Sequence, residues 1–408
     1  MLQCIECGRE YEEAPGLLCC ETCAVRQQAG GSTRGILEVR ALSAPSAWPD
    51  GRPSDPAFLA AFLPVRGPDS FPAYPVGDTP LIEAPRLAGH IGGGRLWVKD
   101  DTRNPSGSTK DRASLLVMAK AREYGLDTLA AASTGNAGTA LAGAAAAAGL
   151  RAVVFVPADA PEAKLVQMLA YGAEVVPVRG TYDEAFELCV AACREFGWYN
   201  RNTALNPYTI EGKKTVALEI ARTMSPGLPD AVVIPVGDGV ILSGVAKGFA
   251  DLERSGLIER SPRLIGIQPD GSAAIARAWK NGTEEAGPHR GAHSVADSLT
   301  VEAPRGAVPC LRSLRETGGA AVTVSDDRIL AAIPELARTT GVFADPAAAA
   351  AVAGLREAVR SGVVGARDSV VLLITGSGLK DVPAAARAVR RPDPIEPTLE
   401  AVAERLTS

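Results

Sequence analysis

Short, continuous apolar runs recur from residue 95 onward, and stretches with helical periodicity lie between them. Seven of these runs predict strands: RLWVKD at 95, TLAAA at 128, RAVVFVP at 151, AEVVPV at 173, AVVIPV at 231, RLIGIQ at 263 and SVVLLI at 369. Helices are predicted to start near Arg112, Gly138, Ala163, Tyr182, Ile210, Ile241, Asp327 and Ala347. Strands that are apolar on both faces and alternate with helices are typical of mainly parallel sheets, so the pattern predicts an α/β fold.

The N-terminal part follows a different pattern. Residues 44–80 are proline-rich and are predicted to wrap the surface as irregular chain. Five of the eight cysteines lie within the first 23 residues, and four of them form two C-x-x-C pairs: Cys4, Cys7, Cys20 and Cys23. Two such pairs place four thiolates tetrahedrally and predict a structural zinc ion, with a metal-free ribbon or redox-labile thiols as the alternatives. Cys189 and Cys193 are predicted to pack on a helix face instead.

Composition narrows the class of protein. The chain has 408 residues, which predicts two domains or slightly more, and its 46% hydrophobic and 22% charged shares are those of a folded, soluble protein. A net charge of -5 gives no reason to expect nucleic-acid binding. The uncharged run 128–150 contains the polar sequence STGN and glycines, so no membrane span is predicted. The N-terminus lacks the features of a signal peptide, and a cytoplasmic location is expected.

Four loops after predicted strands combine glycine with small polar residues, and ligands of open α/β sheets bind at such strand ends. In NPSGSTKDR, Lys110 lies at the start of a helix, where a positive charge is unfavourable, and no acidic residue occupies the six positions before it. An acidic neighbour would keep the amine protonated, so its absence points to a reactive lysine. In ASTGNAG, hydroxyl, amide and backbone donors suit a carboxylate, and ordinary helix capping is the alternative.

The other two loops suit a flat, phosphorylated ligand. VGDGVILSG, at 236–244, exposes backbone N–H groups that cradle a phosphate at a helix start, and a plain structural turn is the alternative. ITGSGLKD, at 374–381, places the Thr375 hydroxyl at a strand end, with glycines that permit close approach of a ligand. A reactive lysine, a phosphate cradle, a carboxylate loop and this hydroxyl are together the parts needed to bind pyridoxal phosphate (PLP) and an amino acid.

These motifs, together with NPYTIEGKKT and VFADPAAAAA, occur in an order that resembles the threonine synthase family of fold type II PLP enzymes, over roughly residues 78–383. The resemblance implies a tryptophan synthase β-like fold with two open, twisted, mainly parallel sheets and a zinc-ribbon-like segment at 1–30. It implies a large PLP-binding domain at 31–114 and 209–408, and a small mobile domain at 115–208 that closes over the substrate. A homodimer that acts on a small amino acid is also expected.

The resemblance also assigns residues. Lys110 is similar to the lysine that forms the Schiff base, and Asn136 to the asparagine that contacts the phenolic oxygen of the cofactor. Thr375 would face the pyridine nitrogen. The cofactor phosphate would be held by Gly237, Asp238, Gly239, Val240 and Ile241. The loop that grips the substrate carboxylate corresponds to Ser133, Thr134 and Gly135.

The chain departs from the family at the positions that bind the phosphate of O-phosphohomoserine, the substrate of threonine synthases. Aligned with a threonine, a serine, an arginine and an asparagine of the family are Ala137, Ala204, Thr209 and Asp238. Because donors are lost and an acid is gained, the sequence predicts poor use of this substrate unless other basic residues compensate; the candidates are Arg201, Lys213 and Lys247.

Two activities therefore stay open. The first is a threonine synthase-like lyase, in which elimination of a leaving group is followed by addition of water or another nucleophile. The second is β-elimination or β-replacement, as in a serine or threonine dehydratase or a cysteate synthase. A binding protein without catalysis is disfavoured by the intact lysine, and a nicotinamide dehydrogenase by the glycine spacing of the third loop.

Overall fold

The computed structural model describes residues 1–28, 31–40, 45–133, 135–158 and 162–407, without the side chains of 162–164. The strands in these ranges form two mainly parallel sheets and one small N-terminal sheet. They are β1 (Leu2–Cys4), β2 (Glu10–Tyr11), β3 (Leu37–Val39), β4 (Leu81–Glu83), β5 (Leu96–Asp100), β6 (Thr128–Ala132), β7 (Arg151–Pro157), β8 (Glu174–Val178), β9 (Tyr199–Asn200), β10 (Ala231–Pro235), β11 (Arg263–Pro269), β12 (Ala320–Val324) and β13 (Val370–Ile374).

Helices cover the faces of the sheets or lie between their strands in sequence. They are α1 (Glu21–Ala24), α2 (Pro56–Phe62), α3 (Pro85–Ile91), α4 (Lys110–Glu123), α5 (Asn136–Ala148), α6 (Glu162–Ala170), α7 (Tyr182–Phe196), α8 (Tyr208–Lys213), α9 (Thr215–Met224), α10 (Val240–Arg254), α11 (Ala274–Lys280), α12 (Ala307–Glu316), α13 (Asp326–Thr340), α14 (Pro346–Arg360), α15 (Val382–Ala386) and α16 (Leu399–Thr407). None of the described helices has the length and apolarity needed to cross a bilayer.

The larger sheet has the strand order β12-β11-β10-β13-β5-β4, with all neighbours parallel except the antiparallel pair β4–β5. Successive residues of β10 point to opposite faces: Val233 joins the core under α14, and Val232 joins the core under α9 and α10. Both faces of the strand are thus buried, which explains its continuous apolar sequence. At the carboxyl edge, β5, β10 and β13 lead into the loops of Lys110, of Gly237 and of Thr375.

The smaller sheet has the order β8-β7-β6-β9, and all its strands are parallel. Leu129 and Val154 pack on the side of α5, whereas Ala130 and Val153 pack against α7 with the buried Cys189 and the other cysteine of that helix, Cys193. The strand β6 leads directly into the ASTGN loop. The two-sheet α/β fold predicted from the sequence is confirmed, and the two cysteines of α7 lie on its buried face as expected.

The N-terminal segment is more ordered than predicted. Antiparallel pairing of β1 with β2 and with β3 forms a three-stranded sheet, and β3 at 37–39 lies beyond the ribbon-like range 1–30. The prediction of irregular chain through 44–80 is wrong at α2, while residue 44 itself lies outside the described residues. Phe58 and Phe62 of this helix are buried and contact the ring of Trp48, because the apolar spacing of PAFLAAF is helical and prolines are favoured in a first helical turn.

Candidate active site

A cavity of about 610 Å³ lies at the carboxyl ends of strands from both sheets. Its walls come from Lys110, the β6–α5 loop with residues 132–137, the start of α7, residues 201 and 203, the 235–242 loop and the segment 297–305. Three of the four loops that the sequence singled out thus line one cavity. This volume is that of a small-molecule site, and the lining combines apolar walls with a few polar groups.

The half-buried Lys110 is the first residue of α4 and lines the cavity. Its loop is fixed to the end of β13, because the Thr109 N–H donates to the Thr375 carbonyl at 2.9 Å and Ser108 pairs with Gly376. Burial lowers the pKa of Lys110, Asp238 opposes this shift, and the charge of Arg201 adds to it. Among the described residues, no carboxylate lies within 4 Å of Lys110 Nζ, so nothing there holds the amine protonated through an ion pair.

The 236–241 loop has the geometry of a phosphate cradle. Gly239 adopts a φ of +97°, and a Cβ at this position would lie 2.7 Å from the Gly306 carbonyl oxygen and 2.7 Å from Cys310 Cβ. Only glycine fits there, and the backbone turns so that the N-terminus of α10 faces the cavity without a side-chain cap from Gly239. Asp238 Oδ1 accepts the Val240 N–H at 3.1 Å, so an acid already uses one donor of the cradle.

In the β6–α5 loop, Ser133 caps the turn, and Asn136 has a side-chain acceptor without a hydrogen-bond partner among the described residues. Ser133 Oγ accepts the N–H groups of Gly135 and Gly138, at 3.2 and 3.0 Å, which is the capping alternative considered from the sequence. Asn136 Oδ1 is buried and has no hydrogen-bond partner among the described residues. A buried acceptor of this kind is costly unless a ligand satisfies it, so Asn136 fits a cofactor contact. Thr134 lies outside the described residues.

Three predicted site residues do not line this cavity. Val240 is buried behind the cradle, and Thr375 meets the Lys110 loop through its main-chain carbonyl. Thr209 is buried in α8, where its hydroxyl donates to the Asn206 carbonyl at 2.7 Å. Ala137, at another departure from the family, does line it.

Two buried basic side chains lie at or near the cavity. Arg201 lines it and donates to Thr203 and Ser114, but its Nη2 has no hydrogen-bond partner among the described residues. Lys213, which is not a lining residue, donates to the Thr209 carbonyl at 3.1 Å. Burial lowers the pKa of Arg201 to about 10, and burial with the charge of Lys110 holds the pKa of Lys213 well below its ordinary value. A buried guanidinium without a carboxylate partner, as at Arg201, favours binding of an anion.

Lys247, the third compensating residue suggested by the sequence, forms ion pairs with two acids away from the cavity. Its Nζ lies 2.9 Å from Asp251 Oδ2 and 3.4 Å from Glu211 Oε2. Neither acid lines the cavity. Of the three candidates, Arg201 alone lines the cavity, and we assign the anion-attracting charge to it.

Sequence reasoning missed the segment 297–305, which forms one wall. Arg305 in this segment lies 3.8 Å from the centre of the Phe186 ring and pairs with Asp183 at 2.8 Å, so it bridges to α7. The segment carries no strand or helix pattern and no recognisable motif. An arginine among loop residues gives no local signal of which ring or carboxylate it will meet, so this contact was not predictable.

The four cysteines of the N-terminal segment come together as predicted. Their Sγ atoms all lie within 4.8 Å of one another, with 3.8 Å between Cys4 and Cys23 and 3.7 Å between Cys7 and Cys20. Four thiolates at the usual Zn–S distance of about 2.3 Å lie about 3.8 Å apart, so the set fits a tetrahedral zinc ion. The Tyr11 hydroxyl and the Arg26 guanidinium donate to Cys20 and Cys23, which favours thiolates.

Comparison with known proteins adds independent information. The pyridoxal-phosphate dependent enzyme family matches residues 73–376. A threonine synthase of Methanosarcina acetivorans is 36% identical over 99% of this chain and 98% of its own length, and one of Methanocaldococcus jannaschii is 32% identical over 97% of each chain. Among solved structures, the processed form of threonine deaminase isoform 2 from Solanum lycopersicum superposes with a TM-score of 0.65 at 23% identity, covering 76% of this chain and 87% of that one.

Proposed function

Because this chain belongs to the threonine synthase family of PLP-dependent enzymes and is thus a PLP-dependent lyase, we propose that it converts O-phosphohomoserine to threonine. The observation that carries the proposal is the buried guanidinium of Arg201, which lines the cavity together with Lys110. It has no carboxylate within 4 Å among the described residues, and a substrate phosphate supplies the missing negative charge. The sequence alone predicted poor use of this substrate, because three lost donors and one gained acid were weighed without the burial of this cation.

The residues of the cavity fit PLP. Lys110 would hold the cofactor through Nζ, the side-chain amide of Asn136 would contact the phenolic oxygen of the cofactor, and the N-terminus of α10 would bind the cofactor phosphate. When bound, PLP supplies the conjugated ring that withdraws electrons from the substrate carbons. Thr375 does not line the cavity, so it would join the site only if its hydroxyl contacted the cofactor from behind the lining residues.

Lys110 would then carry protons. Burial and the charge of Arg201 lower the pKa of Lys110, which increases the neutral fraction of the amine at pH 7 to 8. A neutral amine can accept a proton from one substrate carbon and return it to another, and such transfer is most efficient when the pKa lies near the working pH. The absence of an ion pair to Nζ among the described residues is consistent with this role.

The distal phosphate is proposed to lie against Arg201. A charge-assisted hydrogen bond contributes about 1.5 to 3 kcal/mol, roughly twice the value of a neutral one. A contact with Arg201 would therefore offset neutral donors missing at Ala137 and Ala204. The carboxylate of Asp238 acts against a dianion, but the same charge opposes the burial that lowers the pKa of Arg201 and of Lys213.

Steady-state kinetics test the proposal. We expect equal amounts of phosphate and threonine from O-phosphohomoserine, with a kcat/KM of about 10⁴ M⁻¹s⁻¹ or more. Arg201→Gln should lower kcat/KM at least about tenfold by loss of one charge-assisted contact. Lys247→Gln is the matched control, because this lysine faces Asp251 and Glu211, and it should leave KM unchanged in folded protein. Formation of 2-oxo acids from serine or threonine, without threonine from O-phosphohomoserine, would instead establish the β-elimination alternative.

A further inference from the structure

A small buried cluster joins the N-terminal ribbon to the cavity. Ile36, Ala204, Ile210 and Val240 are all at most 2% exposed and contact one another, and Ile5 packs against them. In the sequence, Ile5 lies between two of the clustered cysteines, Cys4 and Cys7. Val240 is the first residue of α10 and directly follows Gly239 of the phosphate cradle. The ribbon and the cradle are therefore in apolar contact.

The position of Ile36 is set by the two cysteine pairs. The Ile5 N–H donates to the Ile36 carbonyl at 3.1 Å, and the Cys20 N–H donates to the Gly35 carbonyl at 2.8 Å. Gly35 has a φ of +70°, and a Cβ there would lie 2.7 Å from the Cys20 carbonyl oxygen, so the chain before Ile36 fits closely against the second pair. Binding of one metal by all four thiols would hold both pairs, and hence Ile36, in one place.

On its other side Ile36 meets a strained turn. Ala204 adopts a φ of +64°, a left-handed conformation that a residue with a Cβ keeps only when its surroundings enforce it. The preceding residue, Thr203, lines the cavity and accepts the hydrogen bond from Arg201 Nη1. The same apolar contact thus supports both the cradle and the wall that carries Arg201.

We propose that Ile36 is a positioning residue for the PLP site, and that the metal-binding ribbon acts on the cavity through it. The proposal rests on the cofactor site of the proposed function but not on the identity of the substrate. Ile36 touches neither cofactor nor substrate. It fixes the start of α10 and the turn at Ala204, so that the N–H groups of the cradle and the guanidinium of Arg201 face the ligand before it binds.

The test is the affinity of the cofactor-free protein for PLP, titrated by absorbance and independent of turnover. Ile36→Ala should bind PLP at least about tenfold more weakly, with its zinc content unchanged, and Ile36→Val should restore most of the affinity. Ile333→Ala is the matched control, because Ile333 is also 2% exposed but belongs to the core around α13 and α14. It should lose comparable thermal stability and keep wild-type affinity. An affinity of Ile36→Ala within twofold of this control overturns the proposal.

Metal removal provides a second test of the proposal. Chelation of zinc from the wild type should weaken PLP binding to the extent seen in Ile36→Ala, and chelation from Ile36→Ala should add less than a factor of two, because both changes act through one contact. Equal, additive losses in both proteins would contradict transmission through Ile36. If the stripped protein unfolds, the comparison of Ile36→Ala with Ile333→Ala decides alone. Normal PLP binding without threonine formation would refute the proposed function and leave this inference intact.

Discussion

At the scale of single residues, ion pairing distinguishes Lys110 from two other lysines. Lys99 lies 2.6 Å from Glu219 and Lys247 lies 2.9 Å from Asp251, so both form ion pairs. We predict that PLP is attached to Lys110, because its amine faces the cavity and has no carboxylate within 4 Å among the described residues. Borohydride reduction of the holoenzyme followed by peptide mapping should find the label on Lys110. A label on Lys99, Lys213 or Lys247 contradicts this prediction.

Asp111, the next residue, makes stability depend on pH. Burial raises its pKa from 3.8 to about 6, although the Ser106 N–H and the charge of Lys380 act in the opposite direction. Since the folded pKa lies above the unfolded one, the stabilising contribution is complete below about pH 4 and is lost as the pH rises through about 6. Relative to Asp111→Asn, the wild type should lose about 2 kcal/mol of unfolding free energy between pH 4.5 and 8.

Urea unfolding at several pH values measures this difference. Comparison with the variant cancels the titration of all other groups, so that only Asp111 contributes to the change. The exposed Asp69 offers a control, because Asp69→Asn should give a curve parallel to that of the wild type. A constant difference between wild type and Asp111→Asn across this pH range would show that Asp111 ionises normally in the folded protein.

At the scale of elements, the start of α10 depends on a single glycine. Gly239→Ala places a Cβ 2.7 Å from both the Gly306 carbonyl oxygen and Cys310 Cβ, and it strains a φ of +97°. We expect PLP to bind at least about tenfold more weakly, because the helix start must shift from the position in which its N–H groups face the cavity. Gly256→Ala, at the far end of this helix, is the matched control: φ is +74° there, but no atom lies within 4 Å of the added Cβ.

Comparison of the two variants separates the effect of backbone strain from the effect of the close contacts made by the added Cβ. A left-handed alanine costs about 1 kcal/mol at either position, so thermal stability should fall in both proteins. Only Gly239→Ala should also lose PLP affinity in an absorbance titration. Equal affinities in the two variants would show that the cradle tolerates a side chain at 239.

Strands that are buried on both faces were predictable from the sequence. The strands β7 and β10 were found near their predicted residues, since a strand buried on both faces reads as a continuous apolar run. The edge strands β4 and β12 were missed, because at least three of the residues in each are only partly buried or exposed. The helix α2 was missed for another reason: prolines around it suggested irregular chain, and the core in which its Phe58 and Phe62 are buried comes mainly from α9, α10 and other distant residues.

Local sequence also predicted part of the site. Lys110, Asn136 and the 237–241 loop carry recognisable spacing, and the structure brings them to one cavity. The burial of Arg201 and Lys213 was not predictable, because neither sequence neighbour nor periodicity shows which charge will lack a partner in the fold. Thr209 and Thr375 do not line the cavity, because the direction of a hydroxyl depends on the local backbone.

At the scale of the whole molecule, the cavity lies between two sheets whose cores are separate. Contacts that cross from one sheet region to the other include Arg305 with Asp183, and Lys380 Nζ with Thr139 Oγ1 at 2.9 Å. The Arg305–Asp183 pair is partly exposed and therefore of small energy, whereas the Lys380–Thr139 hydrogen bond is buried. They suit the predicted division into a large domain at 31–114 and 209–408 and a mobile domain at 115–208, which remains a prediction.

The ribbon supplies the last prediction. The four clustered thiols are set for tetrahedral coordination, so purified protein prepared without chelator should contain about one zinc per chain. Cys20→Ser removes a zinc ligand whose sulfur also accepts a hydrogen bond from the Tyr11 hydroxyl. This variant should lose zinc binding and have a lower melting temperature. Cys19→Ser is the matched control, because Cys19 is adjacent but outside the cluster, and it should retain the metal. Metal analysis with thermal unfolding decides: zinc-free wild type, or equal zinc loss in both variants, would exclude a four-cysteine site.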